Sequence, residues 1–409
     1  MNSFLKNYGS TLALLAGLAA GGIIGICSSA AATAVKPVGD LFLNLIFVII
    51  VPLVFFSIAA SIYNMRESNM LGRVLGWVMV IFAGMSVVAA AVSYLGCLIY
   101  NPVGEIDHSK ILGTLTQQAA EGKSSIPDII VRALTVPDFH LLLTKSNLLP
   151  LIIFAALWGY GTSAAGEKGK PMAAFINSGT EVVMKMMSAI MVLAPVGLGC
   201  YFAGVVDEVG SQFLGGYIRA FVLYIATLAV FFFGINSIYV LVAKGGSGLK
   251  AYWKHIITPS ITAIATSPSA ATMPVAIEAA KKMGITPSIA DAVIPLGTNI
   301  HKDGSVMTGV IKAAFLMCLF SRSLTDPGTA LAIIAVAIIS AVVLGAVPSG
   351  GMAGEIFICS MLGFSPEMVG IIIVLGTLYD LPATLLNSSA NIVGAILVDT
   401  AVGAGKKNQ

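Results

Sequence analysis

Charged, hydroxyl and amide side chains stand in the middle of two hydrophobic stretches in the C-terminal half of the chain. The first group runs from Asn299 to Ser305 and includes His301, Lys302 and Asp303. The second group comprises Asp380, Thr384, Asn387, Ser388, Ser389 and Asn391. Carboxylate and amide oxygens bind cations, carboxylates and histidine bind protons, and a carboxylate inside a membrane is costly unless it has a partner or a function. These residues therefore predict a site for a polar solute and a coupled ion.

The composition requires the elements around these residues to lie in a membrane. Of the 409 residues, 57% are hydrophobic and only 10% are charged, and the mean hydropathy is +0.95. A soluble protein of this length needs more charge to cover its surface. A spanning helix needs roughly 20 apolar residues, and stretches of about this length occur near 11–32, 41–63, 74–100, 148–163, 172–201 and 213–243. We expect an all-α polytopic membrane protein.

The sequence does not favour other kinds of chemistry. The five cysteines are far apart and form no CxxC pair, so neither a metal site nor a disulfide framework is expected. The chain has no HExxH and no GxSxG motif, and we expect neither an enzyme nor an organic cofactor. The net charge is only +3 and is spread over short loops. The expected partners are therefore a small solute and the lipid bilayer, not nucleic acid.

Two hydrophobic segments carry matched interruptions, at 266–274 and at 345–351. Each is followed by a predicted helix with one of the two polar groups in mid-span. Pro268 and Pro348 are 80 residues apart, and Asp303 and Asp380 are 77 apart. A single interruption would equally fit a kink or a close helix crossing. Two with matched spacing are typical of inverted repeats in transporters, where half-helix N-termini face an anionic group and free carbonyls face cations.

The lysines and arginines predict the orientation. With the N-terminus in the cytoplasm and alternating spans, twelve of them fall inside and six outside, which agrees with the positive-inside rule. Lys250, Lys254, Lys281 and Lys282 bracket the segment 250–283, so this segment would enter and leave the membrane on the cytoplasmic side. We expect a multi-pass protein of the plasma (inner) membrane with both termini in the cytoplasm.

Particular residues along nearly the whole chain resemble the dicarboxylate/amino acid:cation symporter family, the glutamate transporter homologues. They are Val51-Pro52-Leu53-Val54-Phe55, Gly72-Arg73, Ala194-Pro195-Val196-Gly197, Pro295-Leu296-Gly297 with Asp303-Gly304, and Asp380 through Asn387. The resemblance implies a homotrimer that works as an elevator, with eight transmembrane helices and two re-entrant hairpins. It places scaffold spans 1 and 2 at 1–70, span 3 of the transport domain at 71–100, and an extracellular loop with scaffold spans 4 and 5 at 101–205. The rest of the transport domain would be 206–409, with hairpin 1 near 250–283, hairpin 2 near 327–362, and span 8 last.

The resemblance also implies a substrate site. Asp380 stands where the family places the carboxylate that holds the substrate α-amino group, and Thr384 and Asn387 match further substrate contacts. The hairpin tips would contribute Ser269, Ala270, Val347 and Gly350. Acidic-amino-acid members have an arginine at or near the position of Ala383, and its absence here favours a neutral amino acid such as serine, threonine or alanine. The site pattern is similar to serine/threonine-type members.

The expected ion site departs most from the family pattern. The usual Asn-Met-Asp-Gly-Thr is replaced by His301-Lys302-Asp303-Gly304-Ser305, and Gly376 and Asn391 stand where sodium-coupled members often have acidic residues. Fewer anionic oxygens and an added ammonium weaken a sodium site, so Lys302 is expected to act as a tethered cation beside Asp303 or Asp380. Sodium could still bind through Asp303 and Asn391, and protons could couple through His301, Asp303 or Glu355. Asn299, Ser305 and Asn387 complete the candidate coupling residues.

Other interpretations remain open at this point. An acidic amino acid or dicarboxylate symporter is possible, with Lys302 holding the second carboxylate. A protein of another class, an uncoupled uniporter or channel, would have the same architecture without the cation ligands.

Overall fold

The structure is a computed structural model that describes residues 2–67, 72–104, 135–144, 147–209, 212–266, 269–344, 351–365 and 368–407. The described residues are helical, with short connections. The α-helices are α1 (Asn2–Cys27), α2 (Ser29–Glu67), α3 (Gly72–Ile99), α4 (Leu148–Ala164), α5 (Lys170–Met191), α6 (Ala194–Val209), α7 (Gln212–Ala229), α8 (Asn236–His255), α9 (Ile257–Thr266), α10 (Ser269–Lys282), α11 (Pro287–Ile300), α12 (Asp303–Leu319), α13 (Pro327–Leu344), α14 (Gly351–Met361) and α15 (Met368–Lys407). The expectation of an all-helical chain is confirmed for the part that the structure describes.

Several of the described helices are suited to a membrane. Val74–Ile99, Gly215–Ile264 and Met368–Gly403 are long and apolar enough to cross one, and the bent pair α5–α6 makes a fourth candidate. Leu12–Cys27, Val51–Asn64, Pro150–Ala164 and Pro327–Ala341 are shorter apolar helices.

The N-terminal helices pack closely because glycines line one face of α1. A Cβ at Gly17 or Gly21 would lie 2.0 Å from the carbonyl oxygen of Pro195 or Gly199 on α6, so only glycine fits at these positions. Small residues let helix backbones approach in a membrane, where apolar surface alone does not drive association. The helix α2 packs against α4, α5 and α6, which gathers these elements into one group.

The predicted span at 172–201 is not one straight helix, and the one at 41–63 is longer than expected. The chain bends by 61° between α5 and α6, immediately before Pro195. Proline has no N–H to donate and its ring collides with the preceding turn, so it ends or kinks a helix. The helix α2 begins already at Ser29, where the Ser28 hydroxyl accepts a hydrogen bond from the Ala31 N–H at 3.2 Å.

Two helical hairpins surround the interruptions that the sequence predicted. The arms α9 and α10 pack side by side, and so do α13 and α14. The connections at 267–268 and 345–350 lie outside the described residues, and with them Val347 and Gly350. The second arms of the hairpins are followed by α11 and α15, which pack against each other.

Both hairpins end in the same way. Gly284 and Gly363 have positive φ, 80° and 70°, and are 79 residues apart in the chain. In each case the next N–H reaches back to a helix carbonyl, from Ile285 to Ala280 at 3.2 Å and from Phe364 to Cys359 at 2.8 Å. This is the Schellman arrangement, in which a glycine adopts the left-handed conformation just past the helix end.

A basic side chain also holds the end of each hairpin. Lys244 donates to the Gly284 carbonyl at 2.8 Å and pairs with Asp399 at 2.8 Å, while Arg322 donates to the Leu362 carbonyl at 3.0 Å. Lys244 precedes Gly245, where φ is 66° and α8 is kinked, so that only the part of α8 after Gly245 leads into the first hairpin. Lys244 and Arg322 are 78 residues apart in the chain, so the internal repeat predicted from the prolines and aspartates extends to contacts that the sequence did not indicate.

The polar cluster at 299–305 is a break between helices, where the sequence predicted one helix with polar residues in mid-span. His301 is extended, with φ of −125° and ψ of 110°, Lys302 is non-helical, with φ of −140° and ψ of 73°, and the two join α11 to α12. The His301 N–H still donates to the Gly297 carbonyl at 2.8 Å, and the Val306 N–H donates to the Lys302 carbonyl at 2.9 Å. These two hydrogen bonds pair backbone groups on both sides of the break, as a membrane interior requires.

Candidate solute and ion site

The two polar groups come together where α12 crosses α15. A Cβ at Gly304 would lie 2.4 Å from the Ala383 carbonyl oxygen, so the glycine permits this contact. The Asn387 side-chain oxygen accepts from the Ser305 N–H at 3.3 Å, and its amide donates to the Ser305 hydroxyl at 3.2 Å. Ser305, Ala383 and Asn387, three of the predicted site residues, are therefore neighbours.

A fully buried group surrounds His301. Its Nδ1 lies 2.9 Å from Asn391 Oδ1, and its Nε2 lies 3.0 Å from Asp303 Oδ1. His301 and Asp303 have no solvent-exposed surface. Ser86 of α3 donates to Asp303 Oδ1 at 3.0 Å, and Asp303 Oδ2 has no hydrogen-bond partner among the described residues.

This group is closed by an aromatic ring and a glycine. Phe82 stacks on His301 with ring centroids 4.2 Å apart and planes at 10°. A Cβ at Gly297 would lie 2.7 Å from Asn391 Oδ1 and 3.0 Å from the Phe82 ring. Neither Phe82 nor Ser86 was predicted from the sequence. A serine within an otherwise apolar helix was the available signal for Ser86, whereas nothing in the sequence distinguishes Phe82 from other core aromatic residues.

Asp380 is placed differently from Asp303. Protein surrounds it on most sides, yet the residue is exposed, whereas Asp303 is fully buried. Lys302 is half-buried and close enough to Asp380 for electrostatic attraction. Thr384 is buried, and its hydroxyl donates to the carbonyl of Asp380 in its own helix at 3.0 Å.

The remaining predicted residues divide into three groups. Asn299 is exposed and donates to the Pro295 carbonyl at 3.1 Å, so it does not join the buried cluster. Ser269 and Ala270 open α10, the second arm of the first hairpin. Glu355 on α14 is buried and pairs with Lys312 of α12, Nζ to Oε1 at 2.5 Å.

Lys312 was not predicted as a site residue. It lies on α12 among residues that are buried all round the helix, and only 7% of its side chain is exposed. A charge within an otherwise apolar helix was the signal in the sequence that could have found it.

The two arginines whose side chains the structure describes are engaged away from this site. Arg219 lies over the Tyr100 ring at 4.2 Å and reaches the Asn101 carbonyl, and Arg322 lies over the Phe364 ring at 4.7 Å. Within the described ranges, no three His, Cys, Asp or Glu side chains gather in the manner of metal ligands.

Long apolar helices, a bent helix pair, and charged side chains inside the helical bundle define a multi-pass, all-helical membrane protein. The sequence profile of the "Sodium:dicarboxylate symporter family" matches residues 11–401. The chain belongs to this family, which consists of transporters and not of enzymes.

Curated relatives match most of the chain at low identity. A "C4-dicarboxylate transport protein" of Acidovorax ebreus (strain TPSY) is 27% identical over 383 residues, covering 89% of this chain and 81% of the relative. A "Proton/sodium-glutamate symport protein" of Geobacillus stearothermophilus is 24% identical over 406 residues, covering 96% and 94%. The protein of the same description from Bacillus subtilis (strain 168) is 24% identical over 400 residues, covering 96% and 92%.

Proposed function

We infer that this protein is a secondary active symporter that imports a small neutral amino acid, such as serine, threonine or alanine. The observation that carries the proposal is the exposed carboxylate of Asp380 beside the ammonium of Lys302. Thr384 and Asn387 follow Asp380 by four and seven residues on α15, so the three lie along one helix face.

The charges suit a zwitterion. Asp380 attracts an α-ammonium, and Lys302 attracts an α-carboxylate, so the two complement an amino acid without a further charge. A second carboxylate on the substrate would need another cation, but Lys312, which also attracts Asp380, is already paired with Glu355, and the described arginines lie elsewhere. Ala383 offers no such charge. The Thr384 hydroxyl bonds within its own helix, so it contributes to the site only if it turns from the Asp380 carbonyl towards the substrate.

A dicarboxylate or acidic amino acid is the second candidate substrate. It is favoured by the names of relatives that match most of the chain, C4-dicarboxylate transport and proton/sodium-glutamate symport proteins. Lys302 would then hold one carboxylate, but Asp380 would repel the other. The balance of charge around Asp380 makes this the less favoured substrate class.

For the ion, we propose that sodium coupling is weak or absent. His301 presents a ring instead of an oxygen to both Asp303 and Asn391, the two residues predicted to hold sodium. A proton carried by the His301–Asp303 group, or by Glu355, is the proposed replacement, since such groups carry protons in transporters. Sodium bound through carbonyl oxygens is the alternative.

The architecture is proposed to be that of an elevator. Residues 1–70 and 101–205 would form a trimeric scaffold, and 71–100 with 206–409 the moving transport domain. The hairpins α9–α10 and α13–α14 would enter the membrane from opposite sides, among eight spanning helices. Both termini would lie in the cytoplasm at the plasma (inner) membrane.

A thermal-shift screen of the purified protein tests the substrate class. L-serine, L-threonine and L-alanine should raise the melting temperature, whereas L-aspartate and succinate should not, because a ligand stabilises only the state that binds it. The screen is run in sodium chloride and in choline chloride. If succinate stabilises the protein and serine does not, the amino acid proposal is wrong and the dicarboxylate one is supported.

Uptake into proteoliposomes tests the coupling. Accumulation of serine above its outside concentration, with an inward proton gradient and without sodium, is the expected result. Equilibration without accumulation under every gradient would instead indicate a uniporter or channel, and strict dependence on sodium would refute the proton proposal.

A further inference from the structure

The ion pair between Lys312 and Glu355 is buried more deeply than the other lysine–carboxylate pairs of the described residues. Its side chains are 7% and 1% exposed, compared with 23% and 12% for Lys244–Asp399 and 38% and 53% for Lys281–Asp291. Taking two charges out of water costs about as much as their attraction returns, so a buried pair does little for net stability. Charges inside a membrane bundle therefore point to function.

The pair joins three helices at one point. Lys312 lies on α12 and Glu355 on α14, the second arm of the second hairpin. On α15, a Cβ at Gly376 would lie 2.3 Å from Glu355 Oε1 and 3.1 Å from Lys312 Nζ. The absence of a side chain at Gly376 is thus what lets the carboxylate and the ammonium meet against α15.

The pair also lies beside the proposed solute site. Asp380 is four residues after Gly376, so both face the same side of α15. Lys312 attracts Asp380 as well as Glu355. The Lys312 ammonium thus attracts both Glu355, on the second hairpin, and Asp380, the carboxylate proposed to bind substrate. Glu355 Oε2 is buried and has no hydrogen-bond partner among the described residues, so Lys312 is its principal source of compensation.

We propose that Lys312 is a built-in cation of the transport site, whose ammonium holds the second hairpin against α12 and α15 through Glu355. It is a positioning residue: it acts on the hairpin and on the field at Asp380 without touching substrate. The inference rests on the proposed function only in placing the pair beside the solute site.

A native thiol reports whether the second hairpin, α13–α14, stays packed against α12 and α15. Cys359 lies four residues after Glu355 on α14 and is 1% exposed, so its reaction with a maleimide requires the hairpin to move. Cys97 on α3 is equally buried and serves as an internal reference for loss of the whole fold. Labelling rates of both thiols are measured by mass spectrometry on the full-length protein in nanodiscs.

The first variant is Lys312→Ala, which leaves a space of the shape of n-propylammonium. We expect Cys359 to react at least about tenfold faster while Cys97 stays protected, because Glu355 becomes an uncompensated buried charge. Added n-propylammonium should restore protection, whereas n-propanol, of the same shape without charge, should not. Lys281→Met, which removes an exposed pair, is the matched control and should leave both rates unchanged.

A second variant removes both charges. It distinguishes an effect of the uncompensated Glu355 charge from a general loss of the fold. In Lys312→Met/Glu355→Gln no buried charge is left uncompensated, so Cys359 should react more slowly than in Lys312→Ala, and n-propylammonium should have no effect. If both thiols become reactive in Lys312→Ala, restored protection of both by n-propylammonium but not by n-propanol supports the proposal.

Three results would overturn the proposal. These are native protection of Cys359 in Lys312→Ala, a response of the double variant to n-propylammonium, and rescue that n-propanol provides equally well. None of these measurements needs a solute. If the thiol results are as expected but neither amino acids nor dicarboxylates bind, the assignment of the solute site fails while the role of Lys312 stands.

Discussion

The ring of Phe82 lies flat against the ring of His301, with centroids 4.2 Å apart and planes at 10°. One residue belongs to α3 and the other to the break between α11 and α12, so the contact fixes the imidazole from a distant part of the chain. The fixed ring keeps Nδ1 at 2.9 Å from Asn391 Oδ1 and Nε2 at 3.0 Å from Asp303 Oδ1, although Nε2 has no hydrogen-bond partner among the described residues. The ligands that the ion site can offer depend on this placement.

Gly394→Ala should disturb the stack. A Cβ at this position would lie 2.5 Å from Phe82 Cε1 on a ring that is 4% exposed. Overpacking of this kind costs about 1–3 kcal/mol, and the variant should melt at a lower temperature. Gly84→Ala is the control, because nothing lies within 4 Å of a Cβ there. Adding Phe82→Leu to Gly394→Ala should recover part of the loss, and no recovery would mean that another contact is responsible.

His301→Asn should increase the response to sodium. The substitution offers an amide oxygen next to Asp303 and Asn391, and oxygen donors are what a hard cation requires. Serine uptake at limiting sodium should rise about tenfold relative to choline, equivalent to about 1.4 kcal/mol of cation binding. Uptake driven by a proton gradient should fall in the same variant. An unchanged ratio of sodium to choline rates would argue that the His301 position does not determine the coupling ion.

Asp380→Asn and Thr384→Val should have unequal effects on substrate affinity. Loss of a charged partner for a substrate ammonium costs about 2–5 kcal/mol, so Asp380→Asn should weaken serine binding at least about thirtyfold. The Thr384 hydroxyl bonds to its own helix, and Thr384→Val should change affinity by about threefold at most. Titration calorimetry measures both, with Asp291→Asn at an exposed pair as the control. Equal losses for both would show that Thr384 turns to meet the substrate.

Asp326 should make the start of α13 sensitive to acid. Its carboxylate accepts a hydrogen bond from the Thr329 N–H at 2.7 Å, and this backbone hydrogen bond is the main reason why the pKa of Asp326 is lowered. Because the pKa is lower in the folded state, the stabilisation is present above the unfolded-state pKa and is lost as the pH falls through the folded-state pKa. Amide exchange at Thr329 should therefore quicken, relative to distant helices, when the medium is acidified. In Asp326→Asn this extra dependence on pH should disappear, and its persistence would identify another titrating group.

Membrane location, helical class and the position of the polar clusters could be predicted from sequence because each follows from local composition. A stretch of apolar residues near a spanning length has few alternatives to a helix in lipid. The spacing of the matched interruptions at Pro268 and Pro348, and of the aspartates at 303 and 380, also indicated an internal repeat. Family membership agrees with the resemblance carried by those same motifs.

The identity of each polar residue's partner was decided by tertiary structure. Asp303 and Asp380 look equivalent in sequence, yet one is enclosed by His301 and Ser86 and the other is exposed beside Lys302. Pairing depends on which helices cross and on glycines such as Gly376 and Gly304 that set how closely they approach. Lys312 finds Glu355 across 43 residues of chain, a distance at which sequence spacing carries no geometric information. The sequence therefore determined which chemical groups enter the membrane, and only packing determined which of them meet.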